Sequence, residues 1–219
     1  FTGLFEAGLV MVATSNAHPH DLYKDGLNRP LFEPFIDLIE EHMEVLELES
    51  ATDYRLEKLQ GTQLYFTPAD KAAKKEMDAA FERLTGVKKG EPAAIEVKSR
   101  TVEIPQAAMG VARFDFDDLC GKPLGAKDYL LIAHAYQIIL IDNVPVFKVV
   151  HRNQARRFIN LIDTLYDSGV RLILSADAQP DDLYDIPRGG ELFERTASRL
   201  IEMRSDEYLA RARGGAVSA

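Results

Sequence analysis

Ile138-Ile-Leu-Ile141 and Val170-Arg-Leu-Ile-Leu174 are short apolar runs on either side of a helical pattern. Between the two runs, apolar residues recur with the i, i+3, i+4, i+7 spacing of one helix face, at Phe158, Leu161, Ile162 and Leu165. Short apolar runs around an amphipathic helix are typical of sheets with helices packed on them. We therefore predict a strand, a helix near residues 154–166 and a second strand, in an α/β fold.

The segments before this unit continue the alternation of strands and helices. A charged, Ala-rich stretch predicts a helix over 68–84, and the apolar pairs Ile95 with Val97 and Val102 with Ile104 predict a hairpin around Lys98-Ser-Arg100. A strand over 111–116 and a helix over 127–136 should follow.

The first fifty residues predict a further strand, helix and strand. Leu9-Val-Met-Val-Ala-Thr14 is a continuous apolar run between Gly8 and the polar pair Ser15-Asn16, as expected for a central strand buried on both faces of a parallel sheet. After Pro30, five apolar residues predict one helix face, namely Leu31, Phe32, Phe35, Ile36 and Ile39. A short strand over 43–48 completes a doubly wound unit.

The chain resembles itself at a shift of 161 residues. Residues 4–23 align with residues 165–184, and Leu31-Phe-Glu33 aligns with Leu192-Phe-Glu194 without a gap. Each copy consists of a helix end, a glycine, an apolar run, a Pro-containing loop and Asp-Leu-Tyr. Two interpretations stay open. The segments are either two similarly built strand ends, or two β-loop units that converged on the same local chemistry.

The composition of the chain limits which partners it can bind and in which cell compartment we expect it. The formal net charge is −9, which argues against binding along a nucleic-acid backbone. The single cysteine, Cys120, has no partner within the chain, and no apolar stretch approaches the roughly 20 residues of a membrane span. We expect a reducing, cytoplasmic location. Because the chain starts at Phe1 in what resembles a helix end, we also expect a segment upstream.

Several chemical motifs are absent from the sequence. Gly121-Lys122 is followed by Pro123, so it is no phosphate-binding loop. Ile138-Ile-Leu-Ile-Asp142 imitates an apolar strand ending in a magnesium-binding Asp, but Asn143 stands where a catalytic Glu would be needed, which favours an ordinary strand before a polar turn. No His or Cys spacing predicts a metal site, and Cys120 beside Asp117 and Asp118 is expected to be a buried or neutral thiol.

Ser15 and Asn16 follow the first apolar run, at the strand end where ligands bind in open α/β sheets. An amide there can hold an attacking water against a phosphate. Alternatively, Asn16 caps its own loop by bonding to the backbone.

Motifs spread over nearly the whole chain resemble the AAA+ ATPase family that includes the bacterial cell division protein ZapE and its mitochondrial relatives. They include Val12-Ala-Thr-Ser-Asn16, Asp21-Leu-Tyr-Lys-Asp-Gly-Leu-Asn-Arg29, Phe32-Glu-Pro-Phe-Ile36, Asp53-Tyr-Arg55, Phe114-Asp-Phe-Asp-Asp-Leu-Cys120, Arg156-Arg-Phe-Ile159, Leu165-Tyr-Asp167 and Arg195-Thr-Ala-Ser-Arg-Leu200. The resemblance implies the remnant of a P-loop AAA+ parallel sheet, followed by a mixed α/β C-terminal region.

The resemblance also implies roles for individual residues. The Walker A and Walker B motifs, which bind most of the ATP and Mg²⁺, would lie upstream, so this chain alone should be inactive. Asn16 would correspond to sensor 1 and Arg29 to an arginine finger that reaches a neighbouring subunit, although a surface ion pair with Asp25 or Glu33 is the alternative for Arg29. Arg156 and Arg157 would contact the terminal phosphate as sensor 2, with Arg195 and Arg199 as competitors and plain helix-surface arginines as the alternative for either pair.

The expected organisation has three parts: a core portion at 1–49, an insertion at 50–110 and a C-terminal α/β region at 111–219. For the whole protein, the resemblance implies ATP-driven protein remodelling by a homo-oligomer, acting through FtsZ in bacterial division or on another protein substrate. Peripheral association with a membrane is allowed, and the net charge of −9 leads us to expect no nucleic-acid partner. The rival hypothesis is a protein-interaction or scaffold module without catalysis.

Overall fold

The computed structural model describes residues 8, 10–13, 15, 18–22, 29–46, 59, 61–97, 100–187 and 190–210. The chain divides into two compact units, residues 1–51 and residues 52–219. Residues 52–110 and 111–219 thus share one compact unit, and the three-part division of the sequence stays a prediction.

The first unit contains the predicted helix, α1, over Arg29–His42. A one-turn 3₁₀ helix over Pro19–Asp21 precedes it, and the side chain of His18 accepts a hydrogen bond from the backbone N–H of His20 at its start. Pro30 lies in the first turn of α1, where its missing backbone N–H costs no helical hydrogen bond, whereas Pro34 lies inside the helix and removes one.

The two strands predicted in this unit are wrong for the residues that the structure describes. Residues 10–13 and 43–46 have no regular secondary structure, and Val10 and Val12 are 88% and 90% exposed. A strand buried on both faces needs a hydrogen-bonded neighbour and a covering layer on each side. Among the described residues, the strands of the protein pair with one another and none pairs with 10–13. An apolar run without such neighbours has no sheet to complete.

The second unit is built on a six-stranded sheet of order β1-β6-β5-β4-β3-β2. Its strands are β1 Tyr65–Phe66, β2 Glu91–Val97, β3 Arg100–Ala108, β4 Val111–Asp115, β5 Ile138–Val144 and β6 Arg171–Ala176. Strands β1, β6, β5 and β4 are parallel, and β3 and β2 continue the sheet as an antiparallel hairpin. The mixed α/β fold class is thereby confirmed.

Helices connect and cover the strands of this sheet. They are α2 Lys71–Thr85, α3 Ala126–Ala135, α4 Arg152–Asp167, α5 Gly190–Glu202 and α6 Asp206–Ala210, with a π-helical turn over Asp117–Gly121 after β4. Strong local signals fix the ends of α2. The Asp70 carboxylate accepts from the N–H groups of Ala72 and Ala73 at 2.9 Å, and Gly86 closes the helix with a φ of 78°.

Alternate residues of the parallel strands face two separate cores, as the two-residue period of a strand requires. On one face, Phe114 and Ile141 pack with α3, α4 and α5 in the larger cluster. On the other face, Val111, Ile138 and Ile173 pack with α2. Strands buried on both faces explain why β5 and β6 are continuous apolar runs.

The predictions for this unit agree closely with the structure. The helices expected at 68–84, 127–136 and 154–166 correspond to α2, α3 and α4. The predicted hairpin is β2 with β3, in which Ile95 lies opposite Val102. The described residues contain no helix long and apolar enough to cross a membrane.

The two segments related by the 161-residue shift share part of their local geometry. Gly8 and Gly169 have positive φ values of 72° and 64°, and each segment carries a three-residue 3₁₀ turn that starts at proline, Pro19–Asp21 and Pro180–Asp182. The second segment contains strand β6, whereas the described residues of the first segment contain no strand. The described parts of the two segments therefore share the positive-φ glycine and the 3₁₀ turn, but not the strand.

Candidate functional site

Asn16 and Arg29 are the two nucleotide-site residues predicted in the first unit. Asn16 lies outside the described residues, whereas the structure describes Arg29. Its Nη2 donates to the carbonyl oxygen of His20 at 2.9 Å, and its Nε lies 3.6 Å from Oε1 of Glu33. The Glu33 contact is the one that the ion-pair alternative requires. It uses Nε and leaves Nη1 without a partner among the described residues, so the geometry is compatible with both roles.

The loop before α1 is fastened to that helix through His20 at two points. Its carbonyl receives the Arg29 bond, and its ring Nε2 lies 2.9 Å from Oε1 of Glu40. The rings of His18 and His20 also stack, with centroids 5.6 Å apart. These contacts hold the start of α1, and with it the Arg29 side chain, in a defined position.

The two arginines predicted as sensor 2 differ in their surroundings. Arg157 donates from Nη1 to the carbonyl oxygen of Cys120 at 2.9 Å, so it links α4 to the π-helical turn. Arg156 is exposed and has no hydrogen bond or ion pair with a described residue. Their assignment to nucleotide binding stays a prediction.

The competing pair, Arg195 and Arg199 on α5, is engaged in helix packing. Both form ion pairs with the carboxylate of Asp163 on α4, and Arg199 also reaches Asp167 at 3.2 Å. The Arg199 guanidinium lies over the Tyr166 ring, 4.6 Å from its centroid. These bonds explain how α5 is fixed against α4.

Cys120 is a buried thiol, as the sequence predicts. Burial raises its pKa well above the ordinary range, and the nearby positive charge of Arg157 offsets that rise only in part. A neutral thiol without a neighbouring base is not a nucleophile.

The carboxyl edge of the second unit's sheet carries a buried ion-pair network around Arg113. This residue lies on β4 and is 6% exposed. Its Nε and Nη2 donate to the two carboxylate oxygens of Asp142 at 2.6 and 3.1 Å, and its Nη1 donates to Asp78 of α2 at 2.6 Å. The pKa of Arg113 is raised by its bonds to the two carboxylates, against the opposing effect of burial.

This network shows what Asp142 binds, the residue that imitates a magnesium ligand after the apolar run 138–141 of β5. Both of its carboxylate oxygens are bonded to a guanidinium, which occupies the position that a magnesium ion would need. No group of His, Cys, Asp and Glu among the described residues could hold a metal ion. The edge of this sheet therefore does not fit a magnesium–nucleotide complex, and the ordinary strand end is the correct reading.

Asn143 joins the ends of three neighbouring strands. Its Nδ2 donates to Asp115 at the end of β4 at 2.6 Å, and its backbone N–H donates to Oγ of Ser175 on β6 at 3.0 Å. Its φ of 63° is in the left-handed region, which asparagine tolerates better than most residues.

A half-open cleft of about 680 Å³ lies beside this network. Its lining comes from α2, the loop after α2, β3 and the ends of β4 and β5. Four lysines belong to it, Lys74, Lys75, Lys88 and Lys89, and all four are exposed. We call it the lysine cleft. Its size is within the range of about 300–1,000 Å³ that is usual for ligand sites.

Sequence reasoning missed both the Arg113 network and the lysine cleft. The sequence did contain a signal for the Arg113 network. An arginine inside the apolar run Val111-Ala-Arg-Phe114 must find a carboxylate partner if it is buried. The lysine cleft combines residues from elements far apart in sequence, which no local pattern reveals.

Comparisons with known proteins place the chain in a family. A sequence model of the AFG1-like ATPase family matches residues 1–212. The chain is 36% identical over 215 residues to the cell division protein ZapE of Escherichia coli (strain K12), an alignment that covers 95% of this chain and 56% of ZapE. It is 34% identical over 243 aligned residues to lactation elevated protein 1 homolog B of Danio rerio, covering 95% of this chain and 48% of that protein.

The chain thus spans about half the length of the curated relatives that it matches. No solved structure matches it. The family match extends over both compact units and includes every residue of the predicted nucleotide site. The chain therefore belongs to the AFG1-like ATPase family.

Proposed function

We propose that the whole protein carrying this chain hydrolyses ATP and uses the energy to remodel other proteins. The family match over residues 1–212 carries this proposal. ATP and Mg²⁺ are the proposed cofactors, and the protein acts as a homo-oligomer in the cytoplasm. By its similarity to a cell division protein, we further propose a role in bacterial division with FtsZ, or another protein, as the substrate.

Within this proposal, Arg29 supplies positive charge to the nucleotide of a neighbouring subunit. Its contacts with His20 and Glu33 support the role, because they hold the side chain at the start of α1 and leave Nη1 without a partner among the described residues. A guanidinium is permanently charged and presents its donors as a rigid fork, which suits phosphate oxygens. Asn16 orients the attacking water in the same proposal.

A scaffold without catalysis is the second candidate, and the Arg113 network favours it for the second unit. In this unit, Asp142 imitates a magnesium ligand, but both of its carboxylate oxygens accept hydrogen bonds from Arg113. In the scaffold candidate this unit acts through its surface, whereas in the ATPase candidate Arg156 and Arg157 would contact the terminal phosphate.

Turnover measurements separate the two candidates. The whole protein and the 219-residue chain are purified, and phosphate release from ATP is followed with and without Mg²⁺. We expect Mg²⁺-dependent release by the whole protein and none by the chain alone. If the whole protein, folded and oligomeric, releases no phosphate, the scaffold function is correct. Co-sedimentation with FtsZ polymers tests the proposed substrate, and unchanged sedimentation would exclude FtsZ.

A further inference from the structure

Two short segments of the chain expose adjacent apolar side chains. Val45 and Leu46 follow α1, and Leu46 is 75% exposed. Val149 and Val150 precede α4 in a 3₁₀ turn over Val149–His151, and Val150 is 84% exposed. Single exposed apolar residues are ordinary, whereas adjacent ones with a charged rim are typical of surfaces that contact another molecule. The charges beside each pair therefore indicate what it contacts.

The side of α1 that leads to the first pair is acidic. Residues 30–54 contain eight carboxylates and neither lysine nor arginine. Four of the carboxylates recur at positions i, i+4, i+7 and i+8, which share one side of a helix, namely Glu33, Asp37, Glu40 and Glu41. Asp37 and Glu41 are exposed and form no ion pair with a described residue. Glu40 and Glu41 lie in the last turn of α1, where negative charge opposes the helix dipole, so helix stability does not explain them.

The segment around the second pair is basic. Residues 143–162 contain no carboxylate and four cations, namely Lys148, Arg152, Arg156 and Arg157. Lys148 and Arg152 are exposed, and neither forms an ion pair with a described residue. Asp185 lies beside the segment, because its backbone N–H donates to the carbonyl oxygen of Phe147 at 2.8 Å, but it forms no ion pair with Lys148. The exposed cations of this segment therefore keep their charge.

Carboxylates of other elements reach a different side of α4. Asp115 and Asp117 share a small cleft with Gln154, whose Nε2 lies 3.4 Å from the Asp117 carboxylate. Gln154 is two residues from Arg152, and residues at i and i+2 of a helix do not face the same way. Asp163 lies on the side of Arg152, three turns further along, but its carboxylate is bound by two arginines of α5. The side of α4 that begins at Arg152 is therefore positive near the exposed valines.

We propose that the acidic side of α1, with Val45 and Leu46, binds the basic segment 148–152 of a neighbouring copy of this chain. The proposal rests on the homo-oligomer proposed above, in which Arg29 reaches a neighbouring subunit from the start of the same helix. Apolar residues at the centre and opposite charges around them are the usual composition of a protein interface. The two surfaces differ, so the contact is head-to-tail and can repeat from subunit to subunit.

Other partners satisfy only one of the two surfaces. An anionic partner such as nucleic acid matches the basic segment and is repelled by α1, whereas a basic protein matches α1 and is repelled by the segment. A second copy of the chain matches both surfaces, because it carries both signs of charge beside exposed apolar residues. Charge complementarity of this kind fixes which surfaces meet and suppresses wrong pairings.

Sedimentation velocity of the whole protein over a range of concentrations, with ATPγS present, tests the proposal. We expect oligomers that weaken as the NaCl concentration rises, because exposed charge pairs are screened by salt. Asp37→Lys/Glu41→Lys and Lys148→Glu/Arg152→Glu should each raise the concentration of half-assembly roughly tenfold, as expected for the loss of two exposed ion pairs with added repulsion. The two arginines that are candidates for the nucleotide site stay unchanged. Circular dichroism and thermal melting verify that each variant is folded.

Mixing the two reversed variants separates a contact between subunits from one within a chain. Each variant alone repels itself, whereas in the mixture every contact joins surfaces of opposite charge. We expect oligomers that contain both variants, detected through a different fluorescent label on each. If assembly recovers only when one chain carries both reversals, the two surfaces meet within a chain, which overturns the proposal. Assembly that neither reversal weakens overturns it as well.

The matched controls make the same changes of charge at exposed residues elsewhere. They are Glu76→Lys/Glu207→Lys and Lys71→Glu/Lys127→Glu, on α2, α3 and α6. They should shift the concentration of half-assembly less than about twofold, since they act only through long-range charge. Shifts equal to those of the interface variants overturn the proposal, as does a monomeric wild-type protein at every concentration. The assay measures no turnover, so phosphate release by the whole protein still decides whether it hydrolyses ATP.

Discussion

The guanidinium of Arg113 and the carboxylate of Asp142 form a two-pronged ion pair between adjacent parallel strands, with Nε 2.6 Å from Oδ2 and Nη2 3.1 Å from Oδ1. Arg113 is 6% exposed and Asp142 is 14% exposed. Removing one partner of such a pair leaves a buried charge uncompensated, which costs more than the pair itself stabilises. Changing one of the two residues alone should therefore destabilise the protein more than changing both together.

Asp142→Ala should lower the free energy of unfolding by about 2–4 kcal/mol, because Arg113 would keep only its bond to Asp78. Urea unfolding followed by circular dichroism measures this. Asp78→Ala is the matched control, since Asp78 binds the same guanidinium but is 52% exposed. It should cost less than about 1 kcal/mol. Equal effects of the two variants would contradict the assignment of Asp142 as the main partner.

The double variant Arg113→Met/Asp142→Leu should be more stable than Asp142→Ala, because it removes the charge together with its partner. The same urea experiment reports the difference. A double variant as unstable as the single one would show that packing, and not the unpaired charge, sets the cost.

Cys120 should resist thiol reagents in the native protein and react rapidly in urea. Burial raises the pKa of this thiol, so the thiolate that reacts is scarce at pH 8. A raised native pKa stabilises the fold below the unfolded pKa of about 8.5, and this contribution is lost as the pH rises above that value. Absorbance after addition of Ellman's reagent gives the rates. Equal native and urea rates would show that the thiol is accessible.

Asn16→Ala in the whole protein should lower the rate of ATP hydrolysis much more than the affinity for ATP. The reason is that an amide that orients water acts on the chemical step. Turnover and nucleotide binding are measured on the same preparation. An unchanged rate would return Asn16 to the role of a loop cap.

Arg29→Ala in the whole protein should fold and bind ATP, yet hydrolyse it roughly 10³ to 10⁵ times more slowly, the usual cost of losing an arginine finger. Glu33→Ala is the control, because it removes the ion-pair partner of Arg29 and keeps the guanidinium. It should leave turnover within about threefold of wild type, since exposed ion pairs are worth at most about 1 kcal/mol.

Mixing Arg29→Ala with a variant that retains Arg29 but cannot bind ATP should restore activity, because each subunit supplies what the other lacks. Mixed oligomers are verified by differential tagging before turnover is measured. Without recovery in such oligomers, Arg29 does not act across a subunit boundary.

The class of fold and most elements of the second unit can be predicted from local sequence patterns. Strands β5 and β6 are apolar at every position of their central parts because they are buried on both faces, and α4 carries its apolar face at helical spacing. Asp70 and Gly86 mark the ends of α2 through bonds made within a few residues. Signals of this kind are local, so they can be found without knowing the fold.

The tertiary structure alone decided which patterns find partners. The run at 9–14 is as apolar as β6, yet its described residues form no strand, because strand formation depends on a neighbour elsewhere in the fold. Asp142 follows an apolar run in the way a metal ligand does, but the side chain that binds it comes from Arg113, 29 residues earlier. The lysine cleft is assembled from α2, β3, β4 and β5. Contacts between distant segments depend on how the chain folds back on itself, and the local sequence does not contain that information.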